Sequence, residues 1–111
     1  MIILMKCLDE EFSVKRCISD FHNEEFVSKI IVVDGKSTDF TVQELKQFPK
    51  VSVFVHEWIR SYHAMETSQS MICLSYVRNG DLFFILDFDE RISPELKETL
   101  KAHRERLRAL E

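Results

Sequence analysis

The side chains best equipped for chemistry in this sequence are acids, and they stand at the ends of apolar runs. Leu82 to Leu86 runs straight into Asp87-Phe88-Asp89-Glu90. Alternate residues of an extended segment point the same way, so Asp87 and Asp89 can turn their carboxylates toward one hard cation. Mg2+ or Mn2+ takes oxygen ligands at ~2.1 Å and keeps coordination positions open for phosphate oxygens. Without a cation the two carboxylates repel each other. The plainer reading of the same pair is turn and cap residues that close a strand. Asp34 ends a second apolar run, where its carboxylate can take a hydrogen bond from a nucleobase or ribose or serve as an ordinary loop acid. Asp9 and Glu10 follow the first run and read as helix caps first and ligand contacts second. Ser37, Thr38 and Asp39 read as capping and loop-ordering residues.

Other reactive types form no constellation. His22, His56, His63 and His103 share no ligand spacing, and Cys7, Cys17 and Cys73 show no CxxC pattern. A zinc site or a disulfide scaffold needs more ligands or tighter spacing, so the cysteines read as reduced core thiols of a cytoplasmic protein. Trp58, Tyr62 and His63 can border a ligand cleft, or Trp58 can simply lie buried under a loop.

These acids need elements to position them, and the pattern alternates strand and helix four times. Ile2 to Met5 opens a strand, and Asp9 is placed to cap a helix with Val14, Cys17, Ile18 and Phe21 on one face. Ile30 to Val33 is apolar without alternation, which is how a strand reads when helices cover both faces of its sheet. A short helix on Val42, Leu45 and Phe48 is stopped by Pro49. Val51, Val53 and Val55 mark a third strand. Met65, Ile72, Cys73 and Tyr76 share a helix face that Asn79-Gly80 terminates. Leu82 to Leu86 is a fourth, fully apolar strand, and Ser93-Pro94-Glu95 starts the last helix with a cap and a proline in the first turn. Alternation of this kind implies right-handed crossovers and a parallel α/β sheet, whose ligands bind beyond the carboxyl ends of the strands. Three of the four strands end in acids, so the topology gathers Asp9, Asp34 and the Asp87/Asp89 pair along one edge.

With 111 residues the chain makes one domain, residues 1–111. At 45% hydrophobic and 31% charged it has a globular composition, and its nine Phe can supply a core. A net charge of −4 without a basic stripe disfavours nucleic acid as the main partner. No signal peptide is recognisable, and the apolar runs are too short for a transmembrane segment.

Taken together, the pieces resemble family 2 glycosyltransferases of the GT-A fold. Ile30 to Thr41, reading IIVVDGKSTDFT, is similar to that family's IIVVDDGSTDGT, and Leu8-Asp9-Glu10-Glu11 stands where the family has YNEE. Gly80 to Arg91, reading GDLFFILDFDER, is similar to GDWVLSLDADER, the LDADE form of the lipopolysaccharide-core branch. The resemblance covers residues 2 to about 97. It implies the nucleotide-sugar-binding half of a Rossmann-like fold: four parallel strands in the order 3-2-1-4, with helices on both faces. It implies that Asp34 and the loop near Asp9 contact the base and ribose of a nucleoside diphosphate sugar, most simply a UDP-sugar. Asp89 would bind Mn2+ or Mg2+ directly, and Asp87 would face the ribose or a metal-bound water. The metal would assist departure of the diphosphate while the sugar passes to an acceptor.

Departures from the pattern are specific. Gly35 replaces the family's second aspartate and Lys36 its glycine. Met65-Glu66-Thr67 stands where the family places Gln or Arg and Asn, leaving Arg60 and Gln69 as substitutes for phosphate contact. The acceptor half with its general base is missing from these 111 residues, so no catalytic residue is assigned. A non-catalytic interaction module derived from a truncated transferase is the alternative from another class. A phosphatase-type DxD belongs on a first strand rather than a last one, and a receiver-like domain needs a fifth strand and a late lysine. The stripe Leu96, Leu100, Leu107 and Leu110 on the final helix predicts a homodimer formed through that helix.

Overall fold

The computed structural model describes residues 1–57, 71–78, 81–88 and 90–108. The elements follow one another as β1 (Ile2–Cys7), α1 (Val14–Ser19), β2 (Lys29–Asp34), α2 (Thr41–Leu45) and β3 (Val51–Val55). Then come a helical stretch over 71–75, here α3, and β4 (Phe83–Ile85) and α4 (Pro94–Arg108). The sheet has four strands in the order β3-β2-β1-β4, and every pairing is parallel.

The centre of this sheet explains its unbroken apolar runs. Ile3, Met5, Ile30 and Val32 turn to one face, where they meet Val14, Cys17 and Ile18 of α1, Leu45 of α2, and Leu96 and Leu100 of α4. Leu4, Ile31 and Val33 turn to the other face and pack with Cys73, Ile72 and Tyr76. Each such side chain removed from water contributes about 1.5–3 kcal/mol, so both sheet faces need their helical cover.

The edge strand departs from expectation. The fully apolar run Leu82 to Leu86 predicts a buried strand, but the strand is only Phe83–Ile85, and Phe83 and Ile85 are 38% and 47% exposed. Among the described residues β4 pairs with β1 alone. Phe84 joins the α1-side core, whereas Phe83 and Ile85 lie in register with Ile2 and Leu4.

Asp9 does not cap α1. That helix starts at Val14 behind Ser13, and the Glu10 carbonyl accepts the Ser13 and Val14 amides at 2.9 and 3.2 Å. α2 stops at Leu45, ahead of Pro49. The start of α4 is as the sequence predicts: Ser93 Oγ accepts the Leu96 amide at 3.1 Å, and Pro94 occupies the first turn. Beyond Leu100 the helix is mostly exposed, with Leu107 at 37%. Met65, Asn79-Gly80 and Leu110 lie outside the described residues. Among those described, no helix is long and apolar enough to cross a membrane.

Candidate functional site

The register of the sheet sets the strand ends side by side. Cys7 of β1 pairs with Asp34 of β2, and the ladder runs one step further through Gly35 N–H to the Cys7 carbonyl and His56 N–H to the Asp34 carbonyl, both 2.8 Å. The loops after β1, β2 and β4 therefore share the carboxyl edge, with Asp9, Asp34 and Asp87 on them.

Asp34 is fully buried, and its carboxylate faces the protein. Oδ2 accepts the Ser37 amide at 2.8 Å, while Oδ1 accepts the Ser37 hydroxyl at 2.5 Å and the Cys7 thiol at 3.4 Å. A carboxylate is tolerated so deep only when donors of this kind replace water. Burial first, and then the adjacent Asp34 charge, push the Cys7 thiol well up, so it stays protonated and able to donate.

From Ser37 the network crosses to the loop after β1. Ser37 Oγ accepts the Asp9 amide at 2.9 Å, and Asp9 Oδ1 accepts the Thr38 amide at 2.8 Å. The next two amides cross in the same way, Glu10 to Thr41 Oγ1 at 2.8 Å and Glu11 to Asp39 Oδ2 at 3.3 Å. Asp39 is itself fixed by the Thr41 amide at 2.9 Å and by the Thr41 hydroxyl. Desolvation pushes the Asp39 carboxyl upward, but the hydrogen bonds from Thr41 and Glu11 outweigh it and hold it below the usual carboxylate range. Three successive amides, Asp9 to Glu11, thus end on side chains of the loop after β2 and the first residue of α2. This is why Asp9 is unavailable as a helix cap. It sits with φ +53°, in the left-handed region, and Lys36 opposite it has φ +72°. Lys36 is exposed, with its Nζ 3.8 Å from the exposed Glu57 carboxylate.

The third loop carries Asp87. Leu86 and Phe88 are buried beneath it and Asp87 is exposed. The turn closes on itself: Glu90 N–H donates to the Asp87 carbonyl and Asp87 N–H donates to Glu90 Oε1, both 3.0 Å. Asp89 lies outside the described residues, as do Trp58, Arg60, Tyr62, His63 and Gln69. Among the described residues no three His, Cys, Asp or Glu side chains gather into a cage. A hard cation that keeps most of its coordination for water and phosphate needs only one or two protein carboxylates, and an exposed Asp87 at a strand end has the right donor chemistry.

Sequence reasoning located the acids but missed the partners that orient them. Thr41 had a signal, since Asp39-x-Thr41 is a local side-chain-to-backbone pattern. Cys7 had none. It also missed the contact of His56 Nε2 with the Tyr76 hydroxyl at 2.9 Å, with the Tyr76 ring stacked on Phe54 at 4.0 Å, which joins the end of β3 to the end of α3. A cavity of about 210 Å³ between Glu25, Phe26, Lys101, Arg104 and Glu105 lies by the start of β2, away from the acids.

Residues 2–109 match the family model described as glycosyl transferase family 2. The chain belongs to that family. No curated protein matches it in sequence. Two solved structures of TarS from S. aureus are similar in fold. TarS 1-349 has a TM-score of 0.68 at 20% identity, over 92% of this chain and 30% of that one. A second TarS structure has a TM-score of 0.69 at 18% identity, over 91% of this chain and 18% of that one. The family 2 chain described here therefore spans less than a third of TarS 1-349. The parallel order β3-β2-β1-β4 with helices on both faces is the Rossmann-like architecture expected for the GT-A half.

Proposed function

We propose that this chain is the donor-binding half of a family 2 glycosyltransferase, holding a nucleoside diphosphate sugar, most simply a UDP-sugar, over the carboxyl edge of its sheet. The observation that carries the reading is that Asp9, Asp34 and Asp87 stand at or just beyond the carboxyl ends of three adjacent parallel strands in a chain of this family. Asp9 and Asp87 are exposed and can meet the nucleotide; Asp34 serves from beneath by fixing Ser37, and through it Asp9. Asp87 and Asp89 would hold Mn2+ or Mg2+, which when bound neutralises charge on the departing diphosphate. The LDADE-like run around Asp87 points to the lipopolysaccharide-core branch and to a saccharide acceptor. The three free, buried thiols suit a reducing compartment such as the cytoplasm.

Calorimetric titration of UDP into the chain, with Mn2+ and again with chelator, tests this reading. Binding is expected only with the metal, and Asp89→Ala is expected to lose most of it, because a hard ligand opposite the diphosphate is removed. Equal binding with and without metal, or wild-type affinity in the variant, overturns the metal-bridged reading. A second reading, a binding module without transfer activity, is favoured by Asp34, whose carboxylate is taken up by Ser37 and Cys7 rather than open to a ligand. Metal-independent association with a protein partner and no UDP binding would select it.

A further inference from the structure

Beyond the acids themselves, the turn that carries Asp87 must be held in place, and the sequence around it shows only part of how. Leu86 and Phe88 anchor it from below, and Glu90 closes it from within. Its far end is fixed by a residue that the foregoing reading leaves without a role. Arg91 reaches across to Asp20, at the C-terminal cap of α1, and forks onto both carboxylate oxygens. Nε lies 2.6 Å from Oδ2 and Nη2 lies 2.8 Å from Oδ1.

Two features mark this pair as a specific strut rather than an incidental surface contact. An acid at a helix C-terminus faces the negative end of the peptide dipoles and gains nothing from its own helix. The Asp20 side chain is nevertheless only 15% exposed, while Arg91 is 56% exposed. A carboxylate that far out of water needs a partner, and the bidentate fork supplies one with fixed direction as well as charge. The strut ties the residue just after the acid turn to the helix that follows the Asp9 loop. It thereby fixes the chain just after the acid turn against the C-terminal end of α1.

We propose that Arg91 and Asp20 are positioning residues for the donor site: their fork holds the turn after β4 where the Asp87 carboxylate can meet a metal-bound diphosphate. The proposal rests on the donor-site reading for its functional consequence, but its structural consequence stands apart from that reading. Arg91 is itself more than half exposed, so in Arg91→Ala water takes the place of the guanidinium at Asp20 and the unfolding midpoint stays within a few degrees of wild type. The turn itself loosens.

Hydrogen exchange with the whole chain reads this directly. Exchange of the Asp87 and Glu90 amides rises by about fivefold or more in Arg91→Ala and in Asp20→Asn, while the amides of β1 and β2 keep their rates. Mn2+-dependent UDP affinity falls by about tenfold in each single variant. The double variant falls no further than the worse single one, as expected for two halves of one contact. Arg91→Lys restores charge without the fork and recovers only a minor part of the loss. Unchanged exchange at Asp87 and Glu90 overturns the proposal whether or not nucleotide binds. Faster exchange with unaltered UDP affinity overturns its functional half. A wild-type chain that binds no UDP defeats the donor-site reading, and the exchange data still decide whether the strut holds the turn.

Discussion

Asp34→Asn separates two roles for the acid at the end of β2. If that carboxylate read a nucleobase directly, the substitution would weaken nucleotide binding and leave the empty protein as stable as before. The geometry gives a different expectation. Asp34 takes three donors, the Ser37 amide, the Ser37 hydroxyl and the Cys7 thiol, with no exposure to water. Asparagine keeps one acceptor oxygen, enough for the Ser37 amide. Its NH2 group then faces a hydroxyl and a thiol that were both donating. The Ser37 hydroxyl also accepts the Asp9 amide, so reversing it disturbs the next loop.

A hydrogen bond to a charged group contributes ~1.5–3 kcal/mol against ~1 for a neutral one, and a buried donor left unmet costs ~1–3. Weakening one bond and displacing another comes to about 3 kcal/mol, offset by roughly 1 because a neutral amide is easier to bury than a carboxylate. The net loss is about 2 kcal/mol, or about 8–12 °C in Tm for a domain of this size. Urea unfolding at neutral pH without nucleotide, with Ser37→Ala and the double variant alongside, measures it. The Asp34 and Ser37 losses should overlap rather than add, because they break one network. A change in the urea midpoint equivalent to less than ~0.5 kcal/mol would refute the reasoning.

Lys36→Gly should stabilise the chain by roughly 0.5–1 kcal/mol, since φ +72° costs a side-chain-bearing residue ~1–2 kcal/mol and glycine little beyond its own flexibility. A lower Tm in that variant would contradict this. Asp39 has a folded pKa below its usual 3.8, so its contribution is complete above that value and lost as pH falls through the folded one. Asp39→Asn should flatten the acid limb of stability against pH, and parallel limbs for both proteins would count against it. Burial pushes Cys17 up to about 12 from 9.0, so its contribution is whole below 9.0 and shrinks as pH rises beyond it; aromatic disulfide reagents should label Cys7, Cys17 and Cys73 only at the rate of unfolding. Fast labelling of the folded chain would disprove such burial. Leu107, 37% exposed on α4, should support self-association that Leu107→Glu abolishes in light scattering, and a monomer mass at every concentration would exclude that interface.

The central strands were legible because the cause lies within them. Ile30 to Val33 is apolar at every position, and a strand with that pattern has to be covered on both faces. The same logic failed for β4, since its place at the edge of the described sheet leaves no mark in its own residues. Asp9 shows the limit in another way. An acid a few residues ahead of an apolar helical face reads as a cap, but the amides of Asp9, Glu10 and Glu11 are drawn to Ser37, Thr41 and Asp39, whose competition no local window reveals. Residue type and strand-end position were thus enough to find the acids, but not to say which way each one faces. Direction depends on donors brought in by the register: Cys7 lies beside Asp34 only because β1 and β2 pair as they do. The carboxyl edge accordingly holds acids of two kinds. Asp34 and Asp39 are enclosed by donors and fix the loops, whereas Asp9 and Asp87 are exposed on the loops so fixed. A buried acid that shapes an exposed one explains why substitutions beneath the site should register first as lost stability and only then as lost binding.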